Sequence, residues 1–201
     1  MIIQKYFIVQ YKVAVSGLPR VYYIFDKKEW QTIVINKLHL EMIKLYRGDS
    51  KRIQHFCKVY SYAKLIGEME NVDQDTLFIL EAAALTHDIG IHLCEEKYGN
   101  CNGKLQEKEG PDIAKKMLLN LGFDASVSDR VQYLIAHHHT YTDIDGIDYQ
   151  ILVEADFLVN MHEDSLSVDA IETAYNKIFK TETGKKICKE MFLCQNYQAR
   201  I

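Results

Sequence analysis

The sequence predicts an all-α domain with a short β-prone arm at its N-terminus. Three observations carry this. From about residue 30 onward, apolar residues recur at the spacing of three and four that a helix places on one face. Only two prolines, Pro19 and Pro111, interrupt 201 residues, which leaves room for long helices. The first 25 residues differ in kind, being rich in β-branched and aromatic side chains.

The arm reads "YFIVQYKVAV", then "SGLP", then "RVYYIF", two strand-like runs joined by turn residues. We place it at residues 1–30, a hairpin or extended arm, and the helical domain at 31–201. Ile33, Ile35, Leu38, Leu40, Ile43 and Leu45 populate a first helix, which "RGDS" stops. Asp49 or Ser50 can cap the second, over roughly 51–70, with Ile53, Phe56, Val59, Ala63, Ile66 and Met69 on its apolar side. A third starts near Asp73 and runs through "TLFILEAAALTH" to a stop at Gly90. Residues 93–105, polar with two glycines, read as a surface loop. Further helices are expected at about 106–121, 125–139, 148–161, 168–180 and 183–194.

The bulk numbers narrow the function. A formal net charge of −4 gives no basic signal, so a nucleic-acid polymer is not the expected partner. Five cysteines, an odd number with no C-x-x-C pair, argue against a disulfide framework and a Cys-rich zinc module and fit a reducing cytoplasm. In the N-terminal stretch, Lys5, Lys12 and Arg20 break the apolar run well short of the roughly 20 residues a membrane span needs. A soluble cytoplasmic protein is the expectation, with no membrane partner.

"EAAALTHDIGIH", residues 81–92, raises the chemical question. An ionised aspartate beside a helix this apolar costs several kcal/mol unless it is paired or bound to a metal. A helix C-terminus carries about half a negative charge, which favours a cation at His87 and Asp88; a polar end facing water is the alternative. His55 sits on or beside the apolar stripe of the second helix, where a core histidine bonded to a carbonyl would also fit. Asp156, in "ILVEADFLVNM", is bordered by Leu152, Val153 and Val159 and needs a partner unless its face is solvated. "LIAHHHTYTD" ends an amphipathic helix in His137, His138 and His139. Imidazole and carboxylate together suit zinc, iron, manganese and similar divalent ions.

In that order, H…HD…HHH…D, the sequence resembles the HD superfamily of metal-dependent phosphohydrolases, over roughly residues 35–165. "ALTHDIG" is similar to the family's central motif, and the H…HD…D signature falls on His55, His87–Asp88 and Asp156. The stretch "HHHTYTDIDGIDYQ" loosely resembles the HD-GYP phosphodiesterases but lacks their full G-Y-P signature. The resemblance implies an HD-domain helical bundle in which His55, His87, Asp88 and Asp156 hold one divalent metal. Asp88 would bridge to a second ion on His138 and His139, since Ile135 puts His138 in the family's I-x-x-H register. Manganese, iron, zinc, nickel, cobalt and magnesium are not distinguished. Two departures stand out. The lysine that many members carry three residues after the aspartate is Ile91 here, so His92 or Lys104 is the candidate for its catalytic role beside Asp88. In the family's H-x-x-x-G stretch this chain has "QEKEG", which leaves Gln106 or the adjacent Glu107 as a ligand, or Glu107 and Glu109 as a solvated first turn.

The implied activity is hydrolysis of a phosphoester or phosphoanhydride in a small phosphorylated substrate, a nucleotide first of all. Two alternatives belong to other classes: a diiron oxygenase on the same fold, and a metal- or nucleotide-binding module without turnover. A homodimer is compatible with all three.

Overall fold

Asp26 ends the arm and starts the bundle. Its carboxylate accepts from the Glu29 backbone N–H at 2.8 Å while the Glu29 carboxylate accepts from the Asp26 N–H at 3.2 Å, a reciprocal cap that satisfies two donors of the first turn. The structure, a computed structural model, describes residues 7–9 and 23–194. Ahead of the cap, β1 (Phe7–Val9) and β2 (Tyr23–Phe25) pair antiparallel, with Phe7 opposite Phe25 and Val9 opposite Tyr23. The expected "SGLP" turn lies outside the described residues.

Nine α-helices follow among the described residues. They are α1 (Lys27–Leu45), α2 (Ser50–Met69), α3 (Gln74–Thr86), α4 (Ile91–Tyr98), α5 (Gly103–Leu121), α6 (Ala125–His137), α7 (Ile147–Glu163), α8 (Val168–Lys177) and α9 (Glu182–Cys188). A π-helical turn, Lys189–Leu193, continues α9. Side chains the sequence offers as caps take that role: Asp49 accepts from the Arg52 N–H, and Asp73 from those of Asp75 and Thr76.

α3 is the centre of the molecule. Leu77, Phe78, Leu80, Ala82, Ala83, Ala84 and Leu85 are all buried, so the helix is apolar on every side and must be covered on every side. α1, α2, α6 and α7 cover it, while α5 and α6 pack against each other. The helical stretch Gln74–Tyr98 is long and apolar enough to cross a membrane by composition, yet 78% of its most apolar window is buried inside the fold.

Two expectations differ from the structure. The third helix ends at Thr86, not at Gly90, and residues 87–90 form a turn bonded from the Ile89 N–H to the Thr86 carbonyl. The surface loop expected at 93–105 shrinks to residues 99–102. Ile91 and Cys94, three apart on one helix face, are both buried and give α4 its reason to form. The glycines read as loop are helix ends: Gly99 closes α4 in the left-handed region (φ 73°), and Gly103 follows the Asn102 cap of α5. The turn after α3 lies so close to α5 that a Cβ on Gly90 would sit 2.8 Å from the Gly110 nitrogen. Only glycine permits that approach.

Candidate metal centre

Four segments converge on one point. His55 comes from the second turn of α2, His87 and Asp88 from the turn that ends α3, His138 and His139 from the end of α6, and Asp156 from the middle of α7. The C-terminal ends of α3 and α6 both meet here, and each brings a partial negative charge. A hydroxyl fixes the turn: Tyr46, 1% exposed, donates to the Asp88 carbonyl at 2.7 Å.

The facing atoms are imidazole Nε2 and carboxylate oxygens. His55 Nε2 lies 3.2 Å from His87 Nε2 and 3.2 Å from Asp156 Oδ1. Asp88 Oδ2 is 3.5 Å from His55 Nε2 and 3.4 Å from His87 Nε2. Its other oxygen, Oδ1, is 3.6 Å from His138 Nε2. Asp88 thus belongs to two groups with metal-ligand spacing, one with His55 and His87, the other with His138 and His139.

The opposite ring nitrogens are tied down. His87 Nδ1 donates to the Ala84 carbonyl at 2.9 Å, and His138 Nδ1 to the Ile135 carbonyl at 2.7 Å. His55 Nδ1 donates to Glu163 Oε2 at 3.0 Å, and Lys58 holds the other Glu163 oxygen at 2.5 Å. A carbonyl or carboxylate can only accept, so each Nδ1 carries a proton, and each ring in its neutral form presents an Nε2 lone pair inward. Among the described residues, His138 Nε2 and Asp156 Oδ1 are buried without a hydrogen-bond partner. Such orphans are costly in a folded protein, and a cation between them removes the cost.

The ionisation of the cluster follows from its contacts. Burial pushes Asp88 and Asp156 up, but the surrounding histidines, with His55 Nε2 3.2 Å from Asp156 Oδ1 and His87 Nε2 3.4 Å from Asp88 Oδ2, outweigh it and hold both carboxyls well below the usual range. Burial likewise pushes His55 and His87 down, and the carboxylates outweigh it and raise both. Without a metal, protons are the cations that the carboxylates recruit. His139 goes the other way: burial, then the charge of His138, lowers it to about 4.

The structure does not bring His92 or Lys104 into the cluster. His92 lies against Tyr46, the ring centroids 4.3 Å apart and the planes tilted by 46°, and pairs with Asp49 at 3.2 Å. Burial pushes that Asp49 carboxyl up, but hydrogen bonds from Arg52 and His92 bring it down to about 2. Lys104 is 82% exposed and pairs with Glu107 at 3.3 Å. Ile91, in the slot of the family lysine, is buried. Gln106 Oε1 contacts His139 Nε2, and Glu107 accepts from the His139 N–H at 3.1 Å and the Thr140 hydroxyl at 2.9 Å. Gly103 makes room for this corner, since a Cβ there would meet the His139 ring at 2.7 Å.

Sequence reasoning missed Glu163 and Lys58, which hold His55, and Tyr141 and Phe157 at the rim. The signal for the first pair was present. Glu163 follows Asp156 by seven residues, two turns along the same face of α7, and Lys58 follows His55 by three.

Helices that gather histidines and carboxylates into two groups sharing one aspartate define a helical metal-site domain. The chain belongs to the HD domain family, whose model matches residues 52–178. Two solved structures are similar. A predicted HD superfamily hydrolase from an uncultured Thermotogales bacterium is 28% identical, with a TM-score of 0.53 over 79% of this chain and 83% of that one. Bacillus subtilis YpgQ, solved in its selenomethionine form, is 18% identical, with a TM-score of 0.56 over 80% of this chain and 87% of that one. No curated protein matches the sequence.

Proposed function

We propose that the protein is a metal-dependent phosphohydrolase that acts on a small phosphorylated substrate, a nucleotide first of all. The observation that carries this is Asp88, with one oxygen toward His55 and His87 and the other toward His138. That arrangement fits a pair of divalent ions, His55, His87, Asp88 and Asp156 holding one and Asp88, His138 and His139 the other. The unpartnered His138 Nε2 and Asp156 Oδ1 supply the test of fit, since both are buried lone-pair donors awaiting a cation. When bound, such ions supply an activated water near neutral pH and neutralise charge on phosphoryl oxygens.

The chain's own residues do the rest. Glu163 and Lys58 orient His55, and the backbone carbonyls of Ala84 and Ile135 orient His87 and His138. The rings of Tyr141 and Phe157, 5.1 Å apart and edge to face beside Asp156, offer a planar base an apolar contact. The similarity to an HD superfamily hydrolase at 28% identity supports the hydrolytic reading.

The test is a panel of nucleotides, dinucleotides and sugar phosphates, assayed with each divalent metal in turn, in air and without oxygen. Metal-dependent release of phosphate or a nucleotide, independent of oxygen, is the expected result. Turnover that requires oxygen and iron would move the protein to the diiron class, and metal binding with no turnover would leave a binding module.

A further inference from the structure

A phosphoryl group approaching two metals also needs a donor for its remaining oxygens. The cationic and imidazole side chains around the centre are already committed: Lys58 to Glu163, Arg52 to Asp49 and Glu95, His92 to Asp49, and Lys104 to Glu107. Tyr141 is different. Its residue is 41% exposed, and its ring is braced edge-on against Phe157 at 5.1 Å, one residue from Asp156. Its hydroxyl lies 3.4 Å from His139 Nδ1, a long and therefore weak O–H···N contact, so its hydrogen is only loosely held.

We propose that Tyr141 is a substrate-binding residue whose hydroxyl donates a hydrogen bond to a phosphate oxygen at the metal centre, in place of the family lysine that Ile91 displaces. The geometry assigns the two partners of that hydroxyl different parts. His139 Nε2 faces Gln106 Oε1, which can only accept, so Nε2 carries the proton and Nδ1 is left as a weak acceptor 3.4 Å from the Tyr141 hydroxyl. The phenolic hydrogen can leave that long contact for a charged phosphate oxygen, the stronger acceptor. Phe157 fixes the ring, which spares the phenol the entropy of finding its position on each encounter. This rests on the phosphohydrolase reading for its biological meaning, but the binding it describes is measurable without turnover.

Tyr141→Phe removes one oxygen from an exposed ring and leaves the packing on Phe157 intact. The probe is inorganic phosphate, titrated calorimetrically into manganese-loaded protein, with metal content measured in parallel. The expected result is phosphate affinity about tenfold weaker at unchanged metal content, the size of one hydrogen bond to a charged group. Equal phosphate affinity in the two proteins would overturn the proposal. So would loss of metal in the variant, which would make Tyr141 a support for His139. Phosphate binding that falls in the variant, beside an unmodified protein that hydrolyses nothing on the panel, would keep this site and remove the phosphohydrolase. A manganese-loaded protein that takes up no phosphate at millimolar concentration would overturn both.

Discussion

Asp88 has an oxygen in each ligand group, so its loss should be unlike the loss of any histidine. Asp88→Ala should purify with neither ion, His87→Ala without the first, and His138→Ala with about one per chain. Metal analysis against protein concentration checks all three, and full occupancy in Asp88→Ala would remove the shared-ligand reading. The perturbed ionisations add a pH dependence with a definite sign. His55 and His87 are raised above their ordinary 6.5, so the metal-free centre holds protons that a metal must displace. Metal affinity should therefore rise with pH through the neutral range, and a flat titration would contradict it. In the metal-free protein the same raised values stabilise the fold below pH 6.5, and that contribution is lost as pH climbs through the folded-state values. Asp88 and Asp156, depressed below 3.8, contribute above that pH, and their share is lost only as pH falls through their lower folded-state values.

At the scale of elements, the site depends on how close the α3–α4 turn comes to α5. Gly110→Ala puts a methyl group 3.0 Å from Ile135 Cγ2, on the helix that His138 caps. Overpacking of this kind costs about 1–3 kcal/mol. Urea denaturation should show that loss, together with weakened metal binding at the His138 group. The helix pattern and the H…HD…D order were legible because they are written in single-residue spacings: buried Leu80, Ala84 and Leu85 announce α3, and His87–Asp88 its polar end. The stretch from Leu93 to Leu105 was not. Two glycines in a polar run look the same in sequence whether they fill a loop or close one helix and begin the next; what decides is the burial of Ile91 and Cys94, a tertiary fact. For the same reason His92 and Lys104 were legible as candidate phosphate-facing groups but not as to where they face. Asp49 and Glu107, their partners, lie 43 and three residues away, and only the fold decides which pairs meet.

For the whole molecule, the centre is a clamp. His55 and Asp156 are separated by most of the domain in sequence, yet they face each other at 3.2 Å, so one cluster fastens α2, α3, α6 and α7. An unfolded chain does not hold these six side chains together, and a ligand that binds only the folded state stabilises it by mass action. At a metal concentration 100 times its dissociation constant the gain is about 2.7 kcal/mol. For a chain of 150–250 residues each kcal/mol moves the melting point by about 2–4 °C. Chelation should then lower the melting temperature by about 5–11 °C, in a way that depends on how much metal was present. Asp156→Asn separates this from general damage. The substitution keeps the size of a side chain that is 4% exposed, but it exchanges a charged ligand for a neutral one. Its metal-free form should melt below the metal-free unmodified protein by the share the carboxylate contributes against His55 and His87, and added metal should raise it far less. If Asp156 served only to neutralise His55 and His87, the variant would respond to metal and chelator as the unmodified protein does. Thermal melts of both proteins across a metal titration decide between a ligand and a structural counter-ion.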